Sequence, residues 1–147
     1  VIRCVFRALF RFFTFSLHHF FTIMRINIPG TSPYEPIIGF SRAVRVGNAI
    51  HLSGTAPVGA EDRDAAGQTR RIFEIAAAAL AEAGAGFGDV VRTRIYLTRA
   101  EDWEVVGRVH GEYFSKVRPA ATMVVVAQLL NPAWRVEIEM DAVVSDL

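Results

Sequence analysis

The sequence predicts an α+β domain: one mixed β-sheet with two helices packed on one face, in the order ββαβαββ. Three patterns lead there. From Arg135 to Val144 the chain alternates strictly, with Val136, Ile138, Met140 and Ala142 on one side and Arg135, Glu137, Glu139 and Asp141 on the other, as a half-buried strand requires. Between Ala66 and Ala83 the period becomes helical, with Ile72, Ile75, Ala76, Ala79, Leu80 and Ala83 on one stripe. The β-branched, apolar run after Arg118-Pro119 reads as a buried strand, and Asn131-Pro132 is a turn signal between it and the alternating strand, so the two are expected to form a closing hairpin.

Taken in order from Met24, Pro29, Gly30, Pro33 and Pro36 predict an extended, irregular lead-in. Ser41–Val46 and Ala49–Ser53 form a hairpin closed by Gly47-Asn48, two residue types that tolerate positive φ. A loop through Pro57 and Gly59 leads to the first helix, where four consecutive alanines at 76–79 allow close approach to a sheet and Gly84 stands where a helix C-terminal glycine belongs. Val90–Leu97 is the next strand, with Val91, Thr93, Ile95 and Leu97 opposed to Arg92, Arg94 and Tyr96. Thr98-Arg99-Ala100-Glu101 has the form of a capping box. The second helix runs to about Phe114, with Trp103, Val106, His110 and Phe114 as its stripe. Three carboxylates on one face of the last strand repel one another unless cations or water lie opposite.

Residues Val1 to Ile23 differ from the rest. They are crowded with phenylalanine, and Arg3, Arg7 and Arg11 recur every four residues. A basic amphipathic helix on a membrane surface and a short signal or anchor are two readings. The favoured expectation is a non-native or disordered extension ahead of a domain spanning 24–147, from a mis-set translation start. No membrane segment is expected within 24–147.

One hundred and forty-seven residues suit one core, and a net charge of +1 gives no ground for a nucleic-acid partner. A single cysteine, Cys4, rules out an intramolecular disulfide and suits a reducing cytoplasm. His18, His19, His51 and His110 lack metal-ligand spacing, so no metal is expected. Gly84-Ala85-Gly86-Phe87-Gly88 follows a helix instead of opening one, which excludes a phosphate loop.

Pro119-Ala120 followed by a valine-rich strand, and Val136-Glu137-Ile138-Glu139, resemble the RidA (YjgF/YER057c/UK114) family. Val46 to Ile50, Ser53-Gly54, Gln68-Thr69, Ala83-Gly84 and Asp89 to Arg92 extend the resemblance from about Gly39 to Val144. It implies a chorismate-mutase-like fold, a homotrimer joined through its sheets, and small-molecule clefts between subunits. It also implies hydrolysis of reactive imines and enamines, such as those derived from 2-aminoacrylate, to a keto acid and ammonia. No cofactor is expected, because an imine is already electrophilic.

Carried over by position, the family's acid falls on Glu137 and the serine of its Ser-Gly motif on Ser53, with Gly54 after it. Its carboxylate-binding arginine falls on Ala121, its tyrosine on Phe40, and its helix-two asparagine on Gly107. Two anchors are kept and three are lost. Without the arginine a 2-imino acid loses its bidentate partner, and Phe40 with Ala121 favours a neutral or hydrophobic ligand. Arg118 is a candidate replacement; the competing reading is a solvated connector cation. Thr122 is a strand residue within reach of the same cleft. Each has a plainer reading: Glu137 as an ion-paired face residue, Ser53 as the end of a strand, His110 as a satisfied packing histidine, Trp103 and Trp134 as packing anchors, and Arg92, Arg94 and Glu139 as cross-strand or interface ion pairs. Two functions stay open: a RidA-like hydrolase for an imine that is not the usual 2-imino acid, and a non-catalytic metabolite-binding or interaction trimer of the same fold.

Overall fold

A computed structural model describes residues 24–145. The segment expected to be non-native, Val1 to Ile23, lies outside the described residues.

Six strands form one mixed sheet: β1 (Arg25–Ile28), β2 (Ala43–Val46), β3 (Ala49–Thr55), β4 (Val90–Leu97), β5 (Ala120–Val125) and β6 (Val136–Val143). Their order is β1-β2-β3-β6-β4-β5. Helices α1 (Ala65–Glu82) and α2 (Trp103–Phe114) pack together and contribute to the single core, and α1 lies against β3 and β6. The α+β expectation holds, with one strand added. β1 pairs antiparallel with β2 from Arg25↔Val46 to Ile28↔Ala43, and only Ile28 of its four residues is buried. So short a run beside Pro29 gives no period to read.

β6 runs antiparallel to both neighbours and alternates as expected, with Val136, Ile138, Met140 and Ala142 buried. The expected closing hairpin does not form. β5 lies two places from β6, parallel to β4, with Arg92↔Ala120 through Leu97↔Val125 in register. The reason is the helix between them: β4, α2 and β5 make a crossover unit, which returns the chain parallel to where it started. β5 is also not buried within the chain; five of its six residues are exposed, because it is the sheet's outer edge.

The Gly47-Asn48 turn forms between Val46 and Ala49, and Gly47 takes the positive φ of 58°. Asp64 caps α1 by accepting from the Gly67 amide at 2.8 Å. Gly84 (φ 78°) ends the helix as expected: its amide donates to Ala81 O at 3.0 Å and that of Ala85 to Leu80 O at 2.8 Å, a Schellman pair. The expected capping box at Thr98 does not form. The Thr98 hydroxyl turns to the Trp134 carbonyl at 3.4 Å, and a 3₁₀ turn over Ala100–Asp102 precedes α2. In β4 a bulge shifts register between Val90 and Arg92, so Val90 takes the inward place expected of Val91. Trp103 is 62% exposed and does not anchor the core, because it opens α2 ahead of the buried Val106, Val109 and Phe114.

Phe73 is the hub of the helix layer, edge-on to Phe87 (centroids 5.9 Å apart, 88°) and to Phe114 (5.6 Å, 73°). His110 is half-buried beside Phe114 and bonds Thr93 Oγ1 at 3.0 Å; burial pushes its pKa down, as suits a packing histidine. The connection from β5 to β6 is pinned by the buried Gln68 of α1, whose amide nitrogen donates to Ala133 O at 2.9 Å and whose oxygen accepts from the Arg135 amide at 2.8 Å. Arg135 in turn pairs with the buried Asp102 through both carboxylate oxygens. The C-terminal end of this connection, at Ala133 and Arg135, is thereby tied to α1 and to the turn before α2.

Candidate functional site

The face of β6 opposite the core carries Glu137, Glu139 and Asp141, and strand register decides what each one meets. Across β4, Asp141 faces Arg92, Glu139 faces Arg94, and Glu137 faces Tyr96. Arg94 lies 2.8 Å from Glu139 and 3.5 Å from Asp141; Arg92 is 4.0 Å from Asp141. His51 of β3 approaches Asp141 at 2.7 Å. Arg92, Arg94 and Glu139 are thus cross-strand ion-pair residues. The cation row on β4 ends one residue pair too early to reach Glu137. Among the described residues Glu137 is the one carboxylate of the three with no ion pair.

On its other side Glu137 meets an irregularity in β3. Leu52 pairs with Met140 and Thr55 with Ile138, so three steps on β3 oppose two on β6, a bulge centred on Ser53-Gly54. The carboxylate packs onto Gly54 so closely that a Cβ there would lie 2.2 Å from Glu137 Oε1. Glycine leaves the room the carboxylate occupies here; a side chain would push that flexible end aside. Glu137 is partly buried, and that desolvation pushes its carboxyl above the ordinary carboxylate range; Arg42 pulls it back and Glu139 adds to the rise. A carboxyl poised upward in this way can hold or release a proton nearer neutrality than a free one.

A depression of about 360 Å³ opens beside it, lined by Gly54, Tyr96, Val126, Gln128, Leu129, Glu137 and Glu139. Tyr96 donates its hydroxyl to Glu139 at 3.1 Å. Apolar Val126 and Leu129 come from the connection between β5 and β6. No cluster of His, Cys, Asp or Glu suited to a metal ion occurs among the described residues.

The sequence-predicted residues fall into two groups. Glu137 and Gly54 meet at the depression, and Ser53 adjoins them through the bulge. The Ser53 hydroxyl donates to Ser41 O at 2.7 Å. Phe40 is partly exposed where the chain leaves a single π-helical turn, Glu35–Gly39, and is not a lining residue. Ala121 and Thr122 sit on β5 opposite Thr93 and Arg94, two strands from Glu137. Arg118 stands exposed on the connector at φ 54°, its Nε donating to Ser115 O at 3.2 Å. One chain alone does not bring these last four to Glu137. Sequence reasoning missed Arg42, Tyr96, Gln128 and Leu129. Tyr96 was detectable by pairing the two alternating strands; Arg42 was not, because its partners are backbone carbonyls.

What fold and site define is a small α+β domain that carries a lone, partly buried acid over an open depression, on the sheet face its helices leave bare. A family model described as Endoribonuclease L-PSP matches residues 30–144. The chain belongs to this family, the RidA/YjgF/YER057c/UK114 group, with its chorismate-mutase-like fold. Among solved structures, a Mycobacterium tuberculosis protein of the YjgF/YER057c/UK114 family is 44% identical, with a TM-score of 0.77 over 82% of this chain and 100% of that one. A RutC family protein of Pyrococcus abyssi is 37% identical over 74% of this chain and 87% of its own. The 2-iminobutanoate/2-iminopropanoate deaminase of Dermatophagoides farinae is 31% identical over 75% of this chain and 89% of its own. Among the described residues no helix is long and apolar enough to cross a membrane.

Proposed function

We propose that this protein is a cofactor-independent hydrolase of a small imine or enamine that lacks the usual 2-imino-acid carboxylate, and that Glu137 is its acid–base group. The observation carrying this reading is the setting of Glu137: partly buried, without an ion pair among the described residues, and beside an open depression. An ionised Glu137 takes a proton from water as the water oxygen bonds to the imine carbon. The proton passes to nitrogen and gives a carbinolamine; Glu137 then takes the proton of the new hydroxyl and delivers it to the amino nitrogen as the C–N bond breaks, so that ammonia leaves a carbonyl product. Tyr96 and Gln128 offer hydrogen-bonding groups at the rim, and Val126 and Leu129 offer apolar wall.

The working unit in this reading is a homotrimer. Support comes from the exposed apolar edge at β5, where Val124 and Val125 face outward, and from the bare sheet face beside it. Phe40, Ala121, Thr122 and Arg118 would then serve a cleft completed by a neighbouring copy, where Ala121 supplies no charge for a substrate carboxylate. That substitution is also what favours the second reading, a trimer that binds a small metabolite without turning it over.

The test measures ammonia and carbonyl product from freshly generated imines, with and without a carboxylate, comparing wild type, Glu137→Ala and Ala121→Arg. Turnover of a carboxylate-free imine that falls by about 100-fold or more in Glu137→Ala supports the hydrolase. Ala121→Arg should add activity toward 2-imino acids. Equal rates for wild type and Glu137→Ala on every imine would leave the binding protein as the reading.

A further inference from the structure

Arg42 carries no role in the family resemblance, yet it is the cation nearest in influence to Glu137. It stands just before β2, the strand that flanks β3, and its carbonyl accepts from the Ser53 amide at 3.1 Å. Its Nη2 donates to two consecutive carbonyls, Ser53 O and Gly54 O, both at 2.8 Å. In a regular strand, successive carbonyls point to opposite edges, so one nitrogen cannot reach both. Both are reachable because the bulge turns them together and removes Gly54 from the ladder with β6. Carbonyls freed in this way need a donor from elsewhere. The guanidinium is largely desolvated, and its Nε is buried with no acceptor.

We propose that Arg42 is the positioning residue of this site: its guanidinium fixes the Ser53-Gly54 bulge under Glu137 and supplies the positive charge that the carboxylate faces. This rests on Glu137 being the acid of the site. The charged surroundings fit. Glu137 is faced by neutral Tyr96 across β4 and by Glu139 along its own strand, and Arg94 is already engaged by Glu139 and Asp141. Glu35, from the turn before β2, acts on Arg42 more strongly than Glu137 does, and it also accepts from the Gly30 amide at 2.9 Å. Among the described residues Arg42 is therefore the cation that favours the ionised form of Glu137. The Arg42–Glu137 attraction acts without a direct ion pair, and Glu137 still lines the depression.

The test is a carboxyl titration of the full-length protein by carbon NMR, with the Glu137 signal assigned by its loss in Glu137→Gln. Arg42→Gln should raise the Glu137 midpoint by roughly one pKa unit, and Arg42→Lys should return it most of the way to wild type. An unchanged midpoint in a folded Arg42→Gln protein overturns the proposal. Should Arg42→Gln fail to fold, the wild type decides: the Arg42 Nε resonance should titrate with the Glu137 midpoint and stop doing so in Glu137→Gln. A resonance indifferent to Glu137 overturns the proposal as well. Neither readout requires turnover, so a protein that hydrolyses no imine but passes these tests refutes the hydrolase alone.

Discussion

The two ends of the bare face of β6 are built from the same residue type to different effect. At one end Glu139 and Asp141 are held by Arg94, Arg92 and His51 in a network of partly exposed ion pairs. At the other, Glu137 meets a phenol, a bulge and a partly buried guanidinium that makes no ion pair with it. The first arrangement satisfies charge; the second leaves a carboxyl partly desolvated and available. The difference lies in the neighbours, since the β6 sequence alternates evenly through both.

The largest effect should come from the contact that defines the open end. Gly54→Ala puts a methyl carbon 2.2 Å from Glu137 Oε1, so either the carboxylate or the bulge must move. Overpacking costs about 1–3 kcal/mol in a rigid core, and the flexible carboxylate sets the loss near the lower end, about 1 kcal/mol, read as a lower midpoint in denaturant unfolding. Combining it with Glu137→Ala should recover most of that loss, because the clashing atoms are gone. A double variant as unstable as the sum of the singles would show that the strain sits in the β3 backbone, and the contrast between the two ends would lose its steric basis.

A smaller effect, with a definite sign, follows from the upward shift of the Glu137 carboxyl, caused first by burial. In the unfolded chain this group loses its proton at an ordinary carboxylate value, near pH 4. Between that value and its higher folded one, the native state binds more protons than the unfolded state, so stability falls as pH rises. Below both values and above both, the contribution is flat. Glu137→Gln removes this decline. The stability of wild type relative to Glu137→Gln, measured by denaturant unfolding at a series of pH values, should therefore drop from about pH 4 upward and then level off. A relative stability that rises with pH would mean that Arg42 outweighs burial and that Glu137 is stabilised as an anion, like its neighbours at the paired end.

How much of this the sequence discloses depends on the range of the interaction. Alternation along β6, the stripe of α1 and the glycine after it are local, and each is visible within one or two turns of chain. Strand neighbours are not local. The valine-rich run and β6 look like a hairpin because only a turn separates them, and it takes the helix between β4 and β5 to make that pair parallel and put β6 in the middle. The site divides in the same way. Glu137, Ser53 and Gly54 stand out through motif resemblance, but the bulge that joins them exists only once β3 is registered against β6. Arg42 is least legible of all: its partners are two carbonyls whose direction no side-chain pattern encodes.

The smallest effect belongs to the paired end, and it marks where that end stops. His51→Ala removes the 2.7 Å contact with Asp141, from a side chain that is 60% exposed. Arg94 at 3.5 Å and Arg92 at 4.0 Å remain beside the same carboxylate. With its charge still compensated and water close by, Asp141 should lose little: below about 1 kcal/mol in denaturant unfolding, with no change in the Glu137 midpoint. A loss as large as that of Gly54→Ala would mean that His51 is covered in the assembled protein. In that case the paired end would also be a place where desolvation raises the stakes, and the asymmetry along β6 would belong to the single chain alone.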